Sequence, residues 1–122
     1  MSGEEPRDLA IEALYQIEIT GDSSTAESLS GRVGLLVRGV VEHREALDHE
    51  IESASEHWSI ARMPVIDRSI LRLGLFELRH NRDTPTAVVM SEAVRLAKTY
   101  STERSGAFVN GVLASLARAT RP

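Results

Sequence analysis

Histidines are the residues of this chain best suited to hold a metal or move a proton, and their spacing keeps them apart. His43 and His49 are six residues apart, on different faces of one helix, and His57 and His80 lie in other segments with no carboxylate at ligand spacing. No metal site is expected. Serine, histidine and aspartate all occur, but no strained G-x-S-x-G turn presents a nucleophile. Gly31, Gly34 and Gly39 stand in helical context with no Lys-Ser or Lys-Thr after them, and Lys98-Thr99 lacks a glycine-rich approach, so no phosphate-cradling loop is expected. The chain has no cysteine, which removes disulfides, thiolate ligands and a cysteine nucleophile. The residues point to a non-enzymatic protein with no cofactor.

Charge is the stronger signal. The net charge of -4 argues against a polyanion binder, but its distribution is uneven. Residues 1–61 hold four Arg against thirteen acids, and residues 62–122 hold nine Arg and Lys98 against five. Such a split can turn the C-terminal half toward a polyanion, or the two halves can interleave in space and cancel.

The elements that must position these residues are helices. Leu9, Ala13, Leu14 and Ile17 recur at helical spacing between Pro6, suited to a first turn, and Gly21, suited to a stop. Asp22-Ser23-Ser24-Thr25 is loop or cap chemistry, with a short helix over Ala26 to Leu29. Val33, Val37, Val40, Leu47, Ile51, Ala54 and Trp58 then trace one long amphipathic helix from about Arg32. Gly39 inside it costs about 1 kcal/mol relative to Ala, which points to a close helix approach. The acids from Glu42 to Glu56 read as a solvated face.

Ser59 to Pro64 breaks the pattern. Val65 to Leu78 is so rich in Ile and Leu that it should be the central helix, with Asp67, Arg68, Arg72, Glu77 and Arg79 emerging along limited strips. Asn81 to Pro85 ends it. Two more helices follow, marked by Val88, Val89, Ala93, Leu96 and Ala97, and by Phe108, Val112, Leu113 and Leu116. Nothing alternates with period two. The expectation is one all-α domain over residues 1–122, a compact bundle of about five main helices plus short helical turns. The acidic N-terminus and the lack of any stretch near the roughly 20 apolar residues of a span point to a cytoplasmic protein, with no membrane partner.

Several ordered blocks of sequence carry a resemblance. Phe108-Val109-Asn110-Gly111-Val112-Leu113 resembles the closing-helix signature FVNGVL of the NusB family of transcription antitermination factors. Ser91 to Lys98 resembles that family's NEAVELAK segment, and Asp67 to Leu73 with Phe76-Glu77-Leu78 resembles its DRAILRL…YEL helix. Leu9 to Gln16 is similar to the end of its first helix, and Trp58 to Pro64 to its helix-to-helix joint. The blocks span roughly residues 7 to 117. Helical spacing alone also accounts for Phe108 and Val112 as core residues, for Gly111 as a close-approach site and for Asn110 as a backbone cap.

The resemblance implies a NusB-like bundle that pairs with NusE, the ribosomal small-subunit protein. Together they would bind the boxA element of rRNA-operon leader RNA within an RNA polymerase antitermination complex. It implies RNA contacts at Arg7, Tyr15, Arg104, Phe108 and Asn110, and a partner contact at Asp67. Glu4-Glu5-Pro6-Arg7 stands where the family usually has several arginines, and Ala107 where a lysine is common, so RNA binding is expected to be weak without the partner. Two alternatives stay open: a paralogue acting through protein partners alone, and an isolated RNA-binding domain related to rRNA cytosine methyltransferases.

Overall fold

A computed structural model describes residues 5–56 and 58–121; Glu4 and His57 lie outside them. The described residues form helices and turns only, as the periodicity predicts. In chain order these are α1 (Pro6–Thr20), α2 (Thr25–Ser28), α3 (Gly31–Glu42), α4 (Arg44–Ser55), a 3-10 turn (Ile60–Arg62), α5 (Val65–His80), α6 (Thr86–Tyr100) and α7 (Glu103–Thr120).

Local chemistry sets several of these ends. Pro6 opens α1, and Gly21 closes it at φ 73, its N–H bonding Ile17 O at 2.8 Å. That left-handed position suits glycine. The Thr102 hydroxyl caps α7 by accepting from Ser105 N at 3.0 Å.

The long amphipathic helix expected from Arg32 is two helices. His43, at φ -100 and ψ 14, separates α3 from α4 without interrupting the apolar spacing. Val37, Val40, Leu47 and Ile51 are all buried across the break.

Helix α5 is central, packed against α1, α3, α4, α6 and α7. Ile70, Leu71, Leu73, Leu75 and Leu78 are each at most 1% exposed. Each such side chain contributes about 1.5–3 kcal/mol by leaving water. The expected close approach at Gly39 is present, for the Phe76 ring of α5 fills the space that a Cβ would take. At Gly111 it is absent: the position is exposed and its Cβ direction is open.

The polar residues of α5 do not all emerge. Asp67, Arg72 and Glu77 are buried at 3%, 3% and 1% exposure. Distant segments supply their partners. Arg72 Nε donates to Asp48 Oδ1 at 2.7 Å and its Nη1 lies 3.2 Å from Glu18 Oε2. Arg68 also pairs with Glu18, and Arg79 with Glu50. The acidic N-terminal half therefore neutralises much of the basic C-terminal half within the fold, which is the interleaving alternative of the charge reading.

Candidate nucleic-acid interface

Asp67, expected at a partner surface, meets Arg104 and Phe108, expected at an RNA surface, in one cleft. Asp67, in the first turn of α5, lines it together with Arg104 and Phe108 of the first turns of α7. Ser105 joins from α7, and Trp58, Met63 and Pro64 from the joint before α5. The cleft encloses about 330 Å3.

The geometry follows from the α7 cap. Thr102 fixes the first turn, which points the Ser105 hydroxyl at α5, where it donates to Asp67 Oδ2 at 2.8 Å. Asp67 sits at a helix start, where a negative charge complements the dipole. Arg104, the next residue along, is exposed. Phe108 is half-buried against the core, and its ring meets the Trp58 indole edge-on, with centroids 6.3 Å apart at 67°. Trp58 is 51% exposed. Two aromatic rings beside an exposed cation form a surface on which unstacked bases and a phosphate can rest.

Among the described residues Arg62, Arg104 and Arg118 make no ion pair, so their charge is available at the surface. Arg62 ends the 3-10 turn next to Met63 of the cleft.

The other expected RNA residues lie elsewhere. Asn110 is exposed on α7 outside the cleft lining, and among the described residues no hydrogen bond of its side chain caps a backbone group. Tyr15 is 40% exposed on α1. Arg7 points inward, at 9% exposure. Its Nε and Nη2 each donate to a Glu77 carboxylate oxygen at 2.8 Å. The Glu77 hydrogen bond, opposed by burial, raises the Arg7 guanidinium above its ordinary pKa. Beside it, Arg95 Nη2 and the Tyr100 hydroxyl donate to Asp8 at 2.7 and 2.9 Å, tying α1 to α6.

Sequence reasoning missed Ser105 and Trp58 as parts of the site. Trp58 had a signal, an aromatic side chain just before a helix break, but it was absorbed into the helix joint. The stacking of His43 on His80, with centroids 4.4 Å apart, had none, since α3 and α5 bring them together. Among the described residues no group of three or more His, Asp or Glu is arranged to hold a metal, and no helix is long and apolar enough to cross a membrane.

Comparison with known proteins agrees with this architecture. The NusB family model matches residues 4–118. The transcription antitermination protein NusB of Symbiobacterium thermophilum is 38% identical, over 97% of this chain and 90% of its own length. The solved NusB of T. maritima superposes with a TM-score of 0.86 at 33% identity, covering 96% of this chain and 91% of that one. A NusB chain solved together with NusE and double-stranded RNA superposes with a TM-score of 0.79 at 31% identity, covering 93% and 94%. By family model, sequence and fold, the chain belongs to the NusB family, whose curated relatives are transcription antitermination proteins.

Proposed function

We propose that this chain acts as one RNA- and protein-binding domain that pairs with NusE and binds boxA-type leader RNA of rRNA operons in the cytoplasm, within an RNA polymerase antitermination complex. It runs no catalytic cycle. The observation that carries the reading is the cleft where the exposed Arg104, without an ion pair among the described residues, stands beside Phe108 and Trp58. The similar NusB chain solved with NusE and RNA supports the choice of partners.

Within this proposal Arg104 holds phosphate and Phe108 stacks on a base, while Tyr15 and Asn110 extend the contact from exposed positions. Arg7 contributes by fixing the start of α1, because its charge is satisfied by Glu77. Asp67, the partner contact that the resemblance implies, lies at the floor of the cleft, where its Oδ2 accepts the Ser105 hydroxyl.

The test is a fluorescence-anisotropy titration of boxA-type RNA with and without NusE. Weak binding alone and markedly tighter binding with NusE is the expected result. Absence of RNA binding in both titrations would overturn it in favour of a paralogue with protein partners only. That second reading draws on one observation: Arg7 is the one basic residue of α1, and it is buried on Glu77.

A further inference from the structure

Helices α1, α2 and α3 enclose a second groove, of about 510 Å3, which shares no lining residue with the α5–α7 cleft. Leu9, Ala13 and Gln16 form one stripe along α1, and Leu29 and Val33 line the groove from the α2–α3 side. That side is built in advance. Arg38 Nη1 of α3 donates to Ala26 O of α2 at 3.0 Å and to Leu29 O at 2.7 Å, which holds α2 and the turn after it against α3. Gly34 lets that turn close in, because a Cβ there would meet Leu29 O. Leu9, Ala13, Leu29 and Val33 are each only partly buried, so they leave apolar surface that a further apolar face would cover. The rim carries one sign of charge. Glu12 lines the groove, and Glu27 stands on α2 between the lining residues Thr25 and Leu29; both are exposed and make no ion pair among the described residues. The basic residues of α1 to α3 do not balance them, since Arg7 and Arg32 reach Glu77 and Arg38 is engaged by the carbonyls at α2.

We infer that this groove docks a basic amphipathic helix of a second protein partner. Apolar side chains on one face of that helix cover Leu9, Ala13, Leu29 and Val33, and Lys or Arg on its flanks meets Glu12 and Glu27. The charge selects this occupant over the others. A second copy of the chain would bring the acidic rim against itself across a two-fold contact. RNA would bring phosphates against the same carboxylates. Because the groove and the α5–α7 cleft are lined by different residues, a helix seated here leaves that cleft open to its own ligands. The inference is therefore independent of the RNA-binding reading above.

The test varies the peptide first, so that it does not depend on whether a variant folds. Three synthetic peptides matched to the 15-residue length of α1 are titrated into the unmodified protein and followed by amide NMR. One sets Leu and Lys at amphipathic helical spacing, one has the same composition in scrambled order, and one replaces Lys by Glu. The amphipathic Leu/Lys peptide should bind at least about 10-fold more tightly than either control, shift the amides of residues 9–16 and 25–33, and weaken as salt is raised. Glu12→Lys combined with Glu27→Lys, both at exposed positions and checked for native helicity, should invert the preference toward the Leu/Glu peptide. Excess NusE should leave the bound Leu/Lys peptide in place. Equal binding of the ordered and scrambled peptides would reduce the groove to unspecific charge attraction, and shifts centred elsewhere would move the site. Displacement by NusE would give the surface to that partner. Shifts of residues 25–33 with protein concentration alone, or with oligouridine, would name a second copy or RNA as the occupant. Each of these results would overturn the inference and leave the reading of the α5–α7 cleft untouched.

Discussion

Arg7 and Glu77 stand seventy residues apart in sequence and share a two-pronged ion pair, Nε to Oε2 and Nη2 to Oε1, each at 2.8 Å. The pair joins the first turn of α1 to the last turns of α5, with side-chain exposures of 10% and 2%. Arg32 of α3 reaches the same carboxylate at 3.5 Å, so three helices converge on Glu77. Arg7, one of the five RNA contacts that the resemblance implies, is thus held in a structural clasp in this fold.

Removing one partner of a buried pair leaves the other charge without compensation. Glu77→Ala should therefore cost about 3–5 kcal/mol, measured by urea denaturation. Arg7→Ala should also destabilise the fold while leaving the salt dependence of RNA binding unchanged, because no phosphate contact is lost. A smaller salt slope in Arg7→Ala would return Arg7 to the RNA surface.

Gly39 and Phe76 are coupled by contact. Gly39→Ala places a methyl group where the Phe76 ring lies, and overpacking of this kind typically costs 1–3 kcal/mol, more than the gain of about 1 kcal/mol in helix propensity. Phe76→Leu should relieve the clash, so a double-mutant cycle should return a coupling of about 0.5–3 kcal/mol. Additive effects would place the ring away from Gly39.

Two paired carboxylates make the fold sensitive to acid. Arg95 donates to Asp8 and, with the Tyr100 hydroxyl, holds its carboxyl below the usual range despite burial. Burial pushes Glu18 up, but Arg72, Arg44 and Arg68 outweigh it and hold Glu18 below its ordinary value. Folded-state pKa values below the unfolded ones stabilise the fold above the unfolded values, and that stability is lost as pH falls through the folded ones. The melting temperature should accordingly drop below about pH 4. Asp8→Asn and Glu18→Gln should melt lower at neutral pH and lose less on acidification; an unchanged acid slope would count against these pairs.

Much of the architecture was legible because local chemistry determines it. Pro6 and Gly21 bracket α1, the apolar run of α5 is central, and Gly39 marks the contact with Phe76. The break at His43 was not legible, because the buried series Val37, Val40, Leu47, Ile51 keeps helical spacing through it and neither Gly nor Pro stands there. The burial of Asp67, Arg72 and Glu77 was hidden for another reason. A charged residue goes inside only where a partner meets it, and those partners, Ser105, Glu18, Asp48 and Arg7, come from other helices. Periodicity says nothing about such pairs.

The cleft of α5 and α7 contains the chain's one tryptophan, so its emission reports directly on the proposed RNA surface. Stacking of a base beside Trp58 and Phe108 should quench that emission saturably as boxA-type RNA is added with NusE present. Arg104→Glu should abolish the quenching while sparing helicity and melting temperature, since Arg104 is exposed and makes no ion pair among the described residues. RNA binding detected by anisotropy with Trp58 emission unmoved, or undiminished quenching in Arg104→Glu, would contradict the assignment of RNA binding to this cleft.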